Sequence, residues 1–137
     1  MKKVLLGISL LTLLISTFIY SLSHPPVRGD TMSAELVKGK WGAVDFTPNA
    51  FKSASIEVRA SMASSLIKKK KELIGLPRAE IRQMLAEFSG HYISGLYPTY
   101  LIQEAKTQAE EAWQIVFLID VDGKIRDIVI QKNCCYN

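Results

Sequence analysis

The sequence predicts an α+β fold, with two helices packed on a three-stranded antiparallel β-meander and a hydrophobic helix ahead of them. Three stretches carry that prediction. Leu73 to Leu85 holds a glycine-broken hinge followed by an amphipathic helix. Trp113 to Ile130 reads as two apolar strands joined at Asp122-Gly123. Val4 to Tyr20 is an uncharged, apolar run.

The apolar run follows Lys2 and Lys3, and a basic start before such a run reads as an export signal. Its length lies between that of a cleaved signal and that of a membrane span. A signal peptide, with Ser21-Leu22-Ser23 as the cleavage site before His24, and an uncleaved signal anchor are therefore both open. In either case the basic end stays in the cytoplasm and the rest of the chain is exported. No cysteine follows the run, so no lipid-bearing mature N-terminus is expected. Three regions result: a signal peptide or anchor over 1–23, a flexible tether over 24–40, and a folded α+β domain over 41–137. The tether is expected from its prolines, glycines and polar side chains.

Within the domain, Trp41 to Phe46 reads as a short strand or an extended lead-in. Thr47-Pro48 supplies an N-cap and a first-turn proline, and Phe46 and Phe51 stand at staple spacing. A first helix is expected over 48–72, with Phe51, Ala54, Ser55, Val58, Met62, Ser65 and Leu66 as its inner stripe. Lys68 to Lys71 would end it, where cations complement the helix dipole. Anionic lipid headgroups are the functional alternative for that run. Gly75 can end a helix at positive φ, and Pro77 suits the first turn of the next. Ile81, Met84, Leu85 and Phe88 then form one apolar face, with Ser89-Gly90 closing the helix. Strands are expected over 97–103, 112–120 and 124–132. Trp113 to Ile119 is apolar on both faces, as a central strand requires.

Charge and chemistry narrow the functions. The formal net charge is +4, and Lys2 and Lys3 supply two of those charges. The remaining +2 gives no argument for nucleic acid. The two histidines, His24 and His91, stand near no ligand at metal spacing. Asp120-Val121-Asp122-Gly123 lacks the later ligands of a calcium loop. No metal site and no cofactor is expected. Cys134 and Cys135 are adjacent. Export allows them a disulfide, with each other or with another chain, or they stand as two thiols after a last strand. Tyr92, Tyr97 and Tyr100 are the candidate binding residues, because tyrosine favours interfaces as well as cores.

Trp41-Gly42, Arg59, Met62, Leu73-Ile74-Gly75-Leu76-Pro77-Arg78-Ala79-Glu80-Ile81, Leu85, Phe117, Asp120, Gly123 and Lys124 together resemble a known group. It is the SmpA/OmlA, or BamE-like, type of small exported outer-membrane-assembly lipoprotein. The β-lactamase-inhibitor-protein domain is similar in architecture. In that group a helix pair precedes an antiparallel meander, and the resemblance covers about residues 41–132. Pro77 departs from the usual capping Ser or Thr, Ala86 and Phe88 depart from the usual ending, and the lipid-bearing cysteine is missing. The resemblance thus implies a fold and carries over no binding residue.

The expected function is a non-enzymatic protein-binding module, periplasmic or envelope-anchored, whose partner is another envelope protein. The membrane would be engaged through residues 4–20 if they are uncleaved. The alternatives are an inhibitor or immunity-type protein acting on an exported enzyme, and a small hydrolase using His91 with Ser89 or Ser94.

Overall fold

The structure is a computed structural model that describes residues 30–107 and 111–133. The signal or anchor segment 1–23, residues 24–29 of the expected tether, and Cys134 and Cys135 lie outside the described residues. The described chain is α+β, with four α-helices and a four-stranded antiparallel sheet. Helices α1 (Ala34–Trp41), α2 (Pro48–Ser53), α3 (Ile56–Lys68) and α4 (Arg78–Leu85) lie with strands β1 (Thr31–Met32), β2 (Thr99–Gln103), β3 (Ala112–Ile119) and β4 (Ile125–Asn133). The strand order is β1-β4-β3-β2.

The meander formed by β2, β3 and β4 is the one the sequence predicts. β3 is buried from Ala112 through Leu118, so both of its faces must be covered. On the inner face, Trp113, Ile115 and Phe117 pair with Lys132, Ile130 and Ile128 of β4. The helices supply Phe51, Leu66, Ile81 and Leu85 against them, all fully buried. Tyr100 is the hub of this layer. Its ring meets Phe51, Phe88 and Phe117 edge-on, with centroids 5.2, 5.9 and 5.8 Å away. Such pairs add about 0.5–1.5 kcal/mol each beyond their buried area.

Local signals set the helix starts. Thr47 Oγ1 accepts from Ala50 N at 3.3 Å, and Pro48 begins α2. Phe46 and Phe51 do meet, at 5.7 Å between centroids. In α4, Ile81 and Leu85 are buried, while Met84, and Phe88 beyond the helix end, pack half-buried against the same core. Gly75 (φ +90°) and Gly123 (φ +74°) take the left-handed turns expected of them. They are adjacent in space: Gly75 N–H donates to Ile125 O at 2.7 Å, and Arg78 N–H to Gly123 O at 3.1 Å.

Three expectations are corrected. The sheet has a fourth strand and the helical layer one more helix, because residues 31–40 are not a tether. Thr31 and Met32 pair with Gln131 and Ile130, and Ser33 caps α1, which buries Val37 completely. The single helix expected over 48–72 is broken. Ala54 is extended (ψ 145°), and Ser55 starts α3 by accepting from Val58 N at 3.4 Å. The break shifts the helical phase, so Val58 is 43% exposed while Ala60, Met62, Ala63, Ser64 and Leu66 are buried. Finally, α4 ends at Leu85, not at Ser89-Gly90, through Ala86 at φ 111°.

The Tyr100 hydroxyl donates to Ala86 O at 3.0 Å, and burial pushes the phenol well above its ordinary value of 10.0. A raised value means that the neutral phenol stabilises the fold fully below pH ~10 and that this contribution is lost as pH rises through the alkaline range. We expect urea midpoints to fall as pH rises above 10 and this fall to be shallower in Tyr100→Phe. That variant loses about 1 kcal/mol at neutral pH, from the missing hydrogen bond.

Candidate functional site

The three tyrosines singled out by sequence are not brought together. Alternation along β2 sends Tyr100 to the inner face, where it is fully buried. Tyr100 therefore offers no surface to a partner. Tyr92 and Tyr97 lie on the outer face, beside Val116, Leu118 and Val129. Their rings meet edge-on at 5.4 Å. Tyr92 is buried and Tyr97 half-buried, so they form the floor of a loop.

That loop is residues 89–98, and it passes from the edge of β2 onto the outer face. Ser89 and Gly90 both donate backbone N–H groups to Thr99 O at 3.0 Å, and Ser89 Oγ accepts from Leu101 N at 3.1 Å. These bonds also cover part of the β2 edge, which would otherwise be open to pairing. Gln114, buried on the outer face of β3, donates from Nε2 to His91 O (2.8 Å) and Gln131 Oε1 (3.1 Å). Gly90 lies so close to the sheet that a Cβ there would sit 2.7 Å from Thr99 Cγ2 and 2.8 Å from Gln114 Oε1.

The far side of the loop is anchored by α4. Arg78 Nη2 donates to Gly95 O at 2.7 Å. Between the Tyr92 floor and this anchor, Ile93 and Leu96 are left 51% and 60% exposed. Ile93 holds φ +52°, a left-handed conformation that is a genuine outlier for a β-branched residue. Strain of this kind persists only where the surroundings enforce it.

Beside the loop lies an open groove of about 390 Å³, lined by Pro77, Arg78, Ala79, Arg82, Phe88 and Gly123, among others. The Arg78 and Arg82 guanidinium carbons lie 5.3 and 4.9 Å from the Phe88 ring centroid, within cation–π range. Arg82 Nε donates to Glu87 Oε2 at 3.0 Å. Loop and groove together occupy the pole of the sheet marked by the Gly123 hairpin. The described chain enters and leaves at the other pole. There Asp30 O accepts from Lys132 N at 2.8 Å, and β4 reaches its end at Asn133.

The remaining sequence candidates have other roles. Ser89 Oγ is taken by Leu101 N and Arg59, and Ser94 Oγ accepts from Leu96 N at 3.4 Å. Both hydroxyls thus serve the loop backbone, and His91 is not assembled with either into a nucleophile–base pair. Three of the four run lysines are clips. Lys68 pairs with Glu35 and Lys69 with Asp45, each at 2.8 Å, and Lys70 pairs with Asp127 at 2.6 Å. The Lys69 ammonium and the Ser65 hydroxyl hold the Asp45 carboxyl below its ordinary range. Among the described residues, no three His, Cys, Asp or Glu side chains cluster as metal ligands, and no helix is long and apolar enough to cross a membrane.

Gly90→Ala is the sharpest test of the loop's seating. Thr99 and Gln114 are both fully buried, so the added methyl displaces the loop. We expect a loss of about 2 kcal/mol, as for an overpacked core, measured by urea denaturation. Comparison with protein-family models, with curated proteins and with solved structures finds no match to this chain.

Proposed function

We propose that this protein is a non-enzymatic protein-binding module of the cell envelope, which meets another envelope protein through the loop tip Ile93–Leu96. One observation carries the reading. Two large apolar side chains stand exposed on a loop that is pinned from both sides and holds one of them at a strained positive φ. Exposed apolar residues on a rigid platform suit recognition, since little ordering cost remains for binding. The export side is proposed from Lys2, Lys3 and the apolar run Val4 to Tyr20, by signal or anchor alike. Kinship with the BamE-like group remains a proposal on the residues quoted for it and on the helix-and-meander layout. The separation of poles supports the same reading: a chain tethered at Asp30 would carry its loop tip away from the membrane.

The test is site-specific photocrosslinking in cells that express the protein. A photoreactive residue at Leu96 should capture a protein adduct, and one at Lys40, beyond the opposite pole of the sheet, should not. Equal capture at both sites, or none at Leu96, would overturn the reading. Ile93→Asn supplies a second measurement. Asparagine tolerates the left-handed region, so the variant should gain about 1 kcal/mol of stability while losing most of the Leu96 adduct. A variant that is more stable and crosslinks as before would show that the strain serves no contact.

A further inference from the structure

The groove beside the loop extends this reading, on which it rests, by naming the chemistry of the partner. We infer that the Arg78–Phe88–Arg82 groove takes the side-chain carboxylate of an acidic residue in the partner, next to an apolar residue seated on Leu96.

The two guanidinium groups lie over the Phe88 ring, 5.3 and 4.9 Å from its centroid. Arginine presents a rigid fork of donors that matches a carboxylate, and stacking pre-organises it. The donors are not used up within the chain. Arg78 gives Nη2 to Gly95 O, and among the described residues its Nε has no acceptor and no carboxylate pairs with its guanidinium. Arg82 gives Nε to Glu87, an exposed carboxylate, and its two terminal nitrogens remain. Glu87 already shows that a carboxylate fits against this stack.

Among the described residues the groove lining itself holds no acidic side chain, and the carboxylate next to it is that of Glu87 on Arg82. Glu87 is exposed. Asp120 is turned into the hairpin, where its Oδ1 accepts from Asp122 N and Lys124 N at 2.9 Å each. Leu96 follows Gly95 directly, so the apolar tip and the Arg78 fork are one residue apart along the loop. A partner strand with an acidic residue beside Leu, Ile or Phe would satisfy both at once. Charge complementarity thus selects a protein segment of that composition over a purely apolar one.

The experiment uses the full chain in detergent micelles and a phage-displayed random heptapeptide library. Enriched peptides should carry Asp or Glu next to Leu, Ile or Phe. The best peptide is then synthesised with its carboxylate and with the matching amide. The amide form should bind at least tenfold more weakly, as expected for losing a charge-assisted pair. Arg82→Gln, which leaves the Gly95 anchor intact, should weaken the carboxylate form by a similar factor and the amide form hardly at all. Arg78→Gln should do the same with added loss from the freed loop. Circular dichroism confirms that each variant is folded. Enriched peptides without acidic residues, or an amide that binds as tightly, would overturn the carboxylate inference and leave the docking loop standing. Binding that survives both Ile93→Asn and Leu96→Ser would overturn the docking loop itself. A library that returns no binder overturns both.

Discussion

The burial of β3 on both faces is the constraint from which the rest of the architecture follows. A strand of such apolar composition cannot leave either side in water. The helices answer on the inner face, with Phe51, Leu66, Ile81 and Leu85 against Tyr100 and Phe117. Among the described residues, no helix covers the outer face. It is covered by the chain between α4 and β2, which lays Tyr92 and Tyr97 over Val116 and Leu118. The loop is therefore a structural lid first. Its exposed tip is what remains when a short segment must span the sheet edge, cross the outer face and return to Thr99.

Ion pairs link the end of α3 to its neighbours, and one of them reaches the sheet. The run from Lys68 to Lys71 looks like a solvated helix end, or like a headgroup patch. Instead, successive lysines point to different elements: Lys68 to α1, Lys69 to the segment before α2, and Lys70 to β4. Each pair is partly exposed, so each contributes little to stability alone. Their collective effect is directional. They tie the C-terminal end of α3 to its neighbours, while on its inward face Ala60, Ala63 and Ser64 are small enough for α1 to approach, and Ser64 Oγ donates to Ala34 O at 2.9 Å.

What could be read from sequence was whatever depends on neighbouring residues. The β3–β4 hairpin, the Thr47 cap, the Phe46–Phe51 staple and the apolar face of α4 are all local patterns, and each stands where its residues put it. Less legible were elements whose reason lies far along the chain. α1 buries a single residue, Val37, completely and carries Gly39 and three charged side chains among its eight residues. Nothing in its own composition distinguishes it from a tether. It is made helical by Ser33, by Lys68 and by Ser64. The site was half visible. Aromatic residues beside Gly90 and Gly95 signalled an unusual segment, but period-two alternation on β2 places Tyr100 on the opposite face from Tyr92 and Tyr97. Only the pairing of Thr99 with Val116 reveals which aromatic belongs to which layer. Nothing in the sequence signalled that Arg78 and Arg82 would lie over Phe88, which reads there as one more residue of an apolar helix face, since their stack forms only once the chain turns sharply at Ala86.

That turn explains why groove and loop belong together. Ala86 occupies φ 111°, ψ 179°, a region essentially reserved for glycine and costly for any other residue. The cost is offset by what the turn permits. Ala86 O is aimed at the Tyr100 hydroxyl, and Phe88 is swung back under Arg78 and Arg82. A helix continuing through residue 89, as the apolar spacing alone suggests, would carry Phe88 along its own axis and leave the outer face of β3 bare. Ending α4 early therefore completes both sheet faces with one segment. The same bend leaves two stacked guanidinium groups and two apolar side chains on the pole farthest from where the chain enters. The features proposed for binding are thus consequences of covering β3, and selection for a partner would need to adjust only the side chains at the tip.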